Sequence, residues 1–274
     1  MDENRSISPA LVLSLFPGAD LLGHGFSLEG WCVVKGPDPD YGCGDIRSFT
    51  PARSFTGIIG GSPCQDFSDA RRDAPTGYGL EMIAEFVRCV ESAEPEWWLL
   101  ENVRNVPDVV IGGYSYQRMD VRACEFAAGQ SRLRHFQFGH REDKILVLNR
   151  PPRQPVTTPA ALASEASRPS RRSWSEFVQV QGLPADFNLP LFTKQGKYQA
   201  VGNGVPIPLA RAIARAIRDN LRDPMWFAVC ACGCGREVTG KKIAATDRCR
   251  KTLQRRRDRA AITGDRGDTL PPDV

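Results

Sequence analysis

Four short apolar runs recur through the first hundred residues: Leu11-Val12-Leu13-Ser14-Leu15-Phe16, Trp31-Cys32-Val33-Val34, Gly57-Ile58-Ile59 and Trp97-Trp98-Leu99-Leu100. Each stops at a break: Pro17-Gly18, Gly36-Pro37-Asp38, Gly60-Gly61-Ser62-Pro63 and Glu101-Asn102. Runs this short, bounded by such residues, read as buried strands. Between the last two, Leu80, Ile83, Phe86, Val87 and Val90 recur at helical spacing. Strands alternating with helical segments predict an α/β fold with a doubly wound, mostly parallel sheet. Phe136-Gln137-Phe138 and Ile145-Leu146-Val147-Leu148 read as later strands.

A sheet of this kind carries its chemistry at the carboxyl ends of its strands. Those ends hold Phe16 and Gly18, then Asp38 and nearby Asp45, then Cys64, then Glu101. A lone cysteine is ordinarily a small buried hydrophobe, but on a proline-tied loop at a strand end it is also a candidate nucleophile. Taken singly, Glu101 reads as a helix cap or ion-pair partner, Arg132 and Arg134 as a solvated pair, and Gly202-Asn203-Gly204 as a turn. Convergence on one sheet edge is what argues for a site. The polar stretch from Asp66 to Gly79 is either a plain surface loop or a lid.

A chain of 274 residues has room for one large domain and a small appendage. Hydrophobic content of 41% and charged content of 25% are ordinary for a soluble protein. No run is long enough to cross a bilayer and no secretory signal opens the chain, so a cytoplasmic location without a membrane partner is expected. Nine cysteines, five scattered and four crowded near the C-terminus, do not make a disulfide framework and point to a reducing compartment. From Arg236 to Arg259 ten Lys/Arg face three Asp/Glu. That asymmetry suggests contact with a polyanion, or simply a solvated basic helix. Cys230, Cys232, Cys234 and Cys249 are four thiols within twenty residues. They fit a tetrahedral zinc site, although the Cys-x-Cys-x-Cys spacing departs from the usual pairs; free thiols in a loose tail are the alternative.

Several segments, in order, resemble those of the DNA cytosine-5 methyltransferase family, in a compact bacterial or phage form. They are Ser14-Leu15-Phe16-Pro17-Gly18, Gly44-Asp45-Ile46, Ser62-Pro63-Cys64-Gln65 with Phe67-Ser68, Glu101-Asn102-Val103, Gln130-Ser131-Arg132-Leu133-Arg134, Gln181-Gly182-Leu183-Pro184 and Gly202-Asn203-Gly204-Val205-Pro206. The resemblance spans residues 11 to about 220. It implies a Rossmann-like methyltransferase fold using S-adenosylmethionine. Phe16, Gly18, Asp38, Asp45, Ile46, Pro63, Asn203 and Val205 would line the cofactor pocket. The family's Gly-x-Gly-Gly departs here to Gly18-Ala19-Asp20-Leu21.

The resemblance also implies the chemistry. Cys64 would add as a thiolate to carbon 6 of a flipped-out cytosine, making carbon 5 electron-rich enough to take a methyl group. Glu101, protonated or sharing a proton, would serve N3 and the exocyclic amine. Arg134 would contact the base, with Arg132 bracing the site or a phosphate. Double-stranded DNA is the expected partner and a monomer the expected state; a restriction nuclease partner is left open. Two other readings stand beside this one: an RNA cytosine-5 methyltransferase, and a non-catalytic DNA-binding protein. The expected organisation is a catalytic and cofactor-binding domain (1–139), a short target-recognition region (140–175), a segment returning to the catalytic domain (176–222), a basic zinc-finger-like module (223–260) and a disordered tail (261–274).

Overall fold

The computed structural model describes residues 10–39, 42, 44–69, 71, 73–126, 128–151, 155–222, 232, 246–252, 254 and 255. The chain divides into two compact units, 1–223 and 224–274.

The first unit is built on six strands: β1 (Leu11–Leu15), β2 (Cys32–Lys35), β3 (Gly57–Gly61), β4 (Trp97–Asn102), β5 (Gln117–Arg122) and β6 (Leu133–His140). Their order is β2-β1-β3-β4-β6-β5. The first four are parallel, and β6 runs antiparallel to both neighbours. Strands β1, β3 and β4 are buried almost throughout, as parallel strands covered on both faces must be.

Helix α1 (Leu21–Leu28) begins at Asp20, whose carboxylate accepts the Gly23 N–H, and follows β1 directly. Helix α2 (Tyr78–Ala93) covers the other face, where Phe86 meets Leu13, Leu15, Ile58 and Trp98. Leu80, counted with that apolar stripe by spacing, is 56% exposed. Helices α3 (Trp174–Val180), α4 (Lys194–Asn203) and α5 (Ile207–Arg222) complete the unit. Helix α5 joins α1 on the first face, where Phe26, Trp97, Phe138 and Ile213 share one core. A Cβ on Gly25 would fall 2.3 Å from the Ala210 Cβ, so only glycine permits this helix approach.

Two expectations are corrected. Residues 145–148 form no strand. Gln117 holds the segment instead, donating to the Leu146 carbonyl at 2.9 Å and accepting its N–H at 2.8 Å. A side chain therefore does there what a neighbouring strand would do. Gly202 and Asn203 are not a turn but the last residues of α4, with Gly204 as its C-cap.

In the second unit residues 247–252, 254 and 255 are helical, with the Thr246 hydroxyl accepting the Cys249 N–H at 3.2 Å. Cys230 and Cys234, most of the expected basic module and the whole expected tail lie outside the described residues. Among the described residues no metal-binding cluster is formed.

Candidate active site

The strand order reverses at β1, with β2 on one side and β3 on the other. Open α/β sheets bind ligands at the carboxyl end of such a switch point. A cavity of about 170 Å³ lies there. Its wall includes Phe16, Gly18, Asp38, Asp45, Ile46, Pro63, Asn203 and Val205, so the eight residues expected to hold a cofactor meet at one place.

The chain turns out of β1 through Phe16, at φ 53°, and Gly18, at φ 53°. The Asp38 carboxylate accepts the Gly18 N–H at 2.8 Å, tying the end of β2 to this turn. Asp45 accepts the Arg47 N–H at 2.9 Å, and its exposed carboxyl is held below the usual range by the hydrogen bonds from Arg47. A Cβ on Gly204 would meet Leu21 at 2.8 Å, which brings the end of α4 against the start of α1 at the cavity rim.

Asp20 is a wall residue that the sequence reading passed over. It is buried, it accepts the Ser14 hydroxyl at 2.8 Å, and Lys35 lies 4.0 Å away. Burial pushes its carboxyl above the ordinary range, against the Ser14 and Lys35 contacts. Its position just before Leu21-Leu22 is an N-cap signal that could have found it. Gln65, quoted above only as part of the cysteine segment, lines the cavity, as do Tyr78 and Gln199, which were not singled out.

Cys64 stands three residues beyond β3, at φ −101° and ψ 0°, heading a short 3-10 turn. Asn102 fixes that corner by donating to the Ser62 carbonyl at 3.1 Å and to its hydroxyl at 2.9 Å. Glu101 pairs in register with Gly61, and a Cβ there would lie 3.2 Å from Glu101 Oε2. The carboxylate and the cysteine loop therefore share one edge of the sheet. Burial pushes the Cys64 thiol up, the Glu101 charge adds to this, and Arg134 opposes it. Burial also pushes the Glu101 carboxyl up, against Arg134 and His135.

Arg134 lies in β6, one strand from Glu101, and forms an ion pair with it. Arg132 precedes that strand and donates to the Ala161 carbonyl. Both guanidiniums reach the Asn203 carbonyl, each at 3.3 Å. Around them Gln130 donates to Gln181 at 2.8 Å, and Gln181 donates to the Val201 carbonyl at 2.6 Å. The four catalytic candidates are thus held by segments far apart in sequence. Beyond Cys64, Asp66 accepts the N–H groups of Thr76 at 2.9 Å and Gly79 at 2.8 Å, which closes the neck of the polar loop.

A family profile described as C-5 cytosine-specific DNA methylase matches residues 37–109 and 164–219, which include Cys64, Glu101 and Asn203. This match, together with the relatives below, supports a place for the chain in that family. The chain is 29% identical over 117 residues to the Type II methylase M.HgiDII of Herpetosiphon aurantiacus, covering 35% of the chain and 33% of that protein. It is 25% identical over 212 residues to the Type II methyltransferase M.DdeI of Desulfomicrobium norvegicum, covering 64% of the chain and 48% of that protein. The chain therefore matches between a third and a half of the length of these curated relatives. In fold it is similar to a crystal structure from an E. coli prophage described as a DNA modification methyltransferase. The TM-score is 0.60 at 16% identity, with 78% of this chain and 100% of the other covered.

Proposed function

We propose that this chain is a DNA (cytosine-5-)-methyltransferase that uses S-adenosylmethionine. The observation that carries the reading is the meeting of Cys64, Glu101 and Arg134 at the edge of the cavity that opens at the strand-order switch. The family membership adds the reaction class.

S-adenosylmethionine, when bound, supplies an electrophilic methyl group. The cavity wall suits such a cofactor, with the Phe16 ring beside a glycine turn and two acids, Asp38 and Asp45, placed for hydroxyl and amine groups. Cys64 adds to carbon 6 of the cytosine, forming a carbon–sulfur bond and moving the ring electrons toward carbon 5. Glu101 provides a proton or hydrogen bond at N3 as that charge develops; its burial suits it to keep a proton. Arg134 holds Glu101 in place and offers its remaining N–H groups to the base. Carbon 5 would take the methyl group; water then accepts the carbon-5 proton, the 5,6 double bond re-forms, N3 returns its proton to Glu101 and Cys64 departs as a thiolate. The target base must leave the duplex stack for any of this to occur. The four tail cysteines are proposed to hold structural zinc on their composition alone, which metal analysis of the purified chain tests.

Duplex DNA carrying 5-fluorocytosine tests the reading, because fluorine at carbon 5 blocks the final elimination. With cofactor present, the chain should form a covalent DNA complex, and Cys64→Ala should form none. A chain that binds duplex DNA without ever being trapped would overturn the enzymatic reading. Methyl label entering structured RNA but not DNA would overturn the substrate.

A further inference from the structure

A second cavity, of about 570 Å³, opens on the first unit between the starts of α3 and α4. Arg171, Lys194 and Lys197 line it together with Trp174, Phe192 and Tyr198, and no Asp or Glu lines it. Arg171 and Lys194 are exposed, and neither side chain is paired with a carboxylate among the described residues. Lys197 Nζ lies 5.8 Å over the Trp174 ring and donates to Asn188 Oδ1 at 2.6 Å. Arg172 is committed elsewhere, to Glu165 and to the carbonyls of Pro159 and Ala160. Beside the groove, between Pro190 and Phe192, Leu191 is 96% exposed, the most open of the large apolar side chains described.

Glu165 and Glu176 lie behind the wall, engaged by Arg172 and Ser173, which leaves Arg171 and Lys194 as unpaired cations able to attract a polyanion. A bare leucine among them is unsuited to a purely ionic partner, yet it suits the sugar edge or minor groove of a duplex, where apolar wedges sit between phosphate contacts. Helix α4 links this groove to the active site: it starts at Lys194 and ends at Asn203, which lines the cofactor cavity. Ten helical residues span about 15 Å, or about four to five base-pair steps of duplex DNA at ~3.4 Å each. One duplex is long enough to reach both places.

We propose that the groove lined by Arg171, Lys194 and Lys197, with Leu191 at its lip, is a second contact for duplex DNA, seating phosphates several base pairs from the flipped cytosine. This rests on the reading of the chain as a DNA methyltransferase.

The test is the salt dependence of duplex binding by the full chain, read by fluorescence anisotropy, together with trapping on 5-fluorocytosine DNA. In Arg171→Ala/Lys194→Ala the slope of log affinity against log salt should become shallower by about 0.9 for each cation lost. Leu191→Ser should weaken binding severalfold with an unchanged slope. Both variants should still be trapped at saturating DNA, since neither alters Cys64 or its neighbours. A wild-type slope in the double variant, in protein that still traps DNA, would overturn the groove and leave the enzymatic reading intact. Wild-type affinity in Leu191→Ser would remove the tip from the contact. A slope change seen with hairpin RNA and not with duplex DNA would overturn the partner. If the wild-type chain neither binds nor traps DNA, this inference falls together with the function.

Discussion

Arg134 Nε stands 2.7 Å from Glu101 Oε1, with both side chains only 12% exposed. The guanidinium fixes where the carboxyl sits, while the surrounding protein favours its neutral form. Replacing Glu101 by Gln keeps the shape and removes the proton. Glu101→Gln should lower methyl transfer by at least ~10²-fold and leave affinity for duplex DNA nearly unchanged, which filter-binding and tritiated-methyl assays would read separately.

The same pair sets an unusual pH profile. On the proposed mechanism adduct formation needs ionised Cys64 and protonated Glu101, and burial raises both groups. Whichever of the two titrates lower, the population carrying both correct states is highest between their two values. The wild-type trapping rate should therefore fall away on both the acid and the alkaline side. Glu101→Gln should trap more slowly, but its rate should climb about tenfold per pH unit through the neutral range as thiolate accumulates. A wild-type rate that levels off in alkali with the variant's, instead of falling, would show that Glu101 takes no part as an acid.

Gly61 faces the Glu101 carboxylate, and a Cβ there would lie 3.2 Å from Oε2. Gly61→Ala should push the carboxylate aside by a few tenths of an ångström without disturbing the core. Because small misplacements of catalytic groups are costly, turnover should fall by roughly tenfold while the melting temperature stays within a degree or two of wild type. Equal turnover would mean that the carboxylate tolerates displacement.

Gln181 is fully buried and serves Gln130, Val201 and Gly204 at once. Gln181→Ala removes these hydrogen bonds, leaving the Gln130 amide only Val180 and the Val201 carbonyl only the Gly204 N–H, so chemical denaturation should show a loss of about 1–3 kcal/mol. Gln181→Glu should be worse, since its added oxygen faces the Val201 carbonyl in place of a donor.

Asp20 gives a prediction with a definite sign. Its carboxyl is raised by burial above the ordinary 3.8, so the folded protein holds that proton more tightly than the unfolded chain does. The associated stability is fully present below the unfolded value and is lost as pH rises through the folded one. Asp20→Asn keeps a cap for α1 without the buried charge. Its melting temperature should match or exceed wild type at pH 7, and the advantage should disappear as pH falls below about 4. A variant less stable at pH 7 would mean that the ionised carboxylate, with Lys35, is a net contributor.

The strands that frame the site were legible because each is buried on both faces, as Leu11–Leu15 and Gly57–Gly61 illustrate. Strand β5, Gln117–Arg122, was not, since its polar residues give the run no apolar block. Residues 145–148 misled for the converse reason: Leu146 and Leu148 are buried, but a Gln117 side chain provides the pairing. Which residues would line the first cavity followed from the segment order. That Arg132 and Arg134 would both lean on Asn203 did not, because no local pattern encodes a contact across about seventy residues.

That shared carbonyl carries a consequence for the chain as it is made. Cys64, Glu101 and both arginines leave the ribosome well before Asn203 does, and until α4 docks each guanidinium lacks one of the carbonyls that hold it. A nascent or truncated chain ending before residue 194 would hold all four proposed catalytic groups but lack the carbonyl that both arginines share, so that part of the site is completed only when one of the last-made helices folds back onto the sheet.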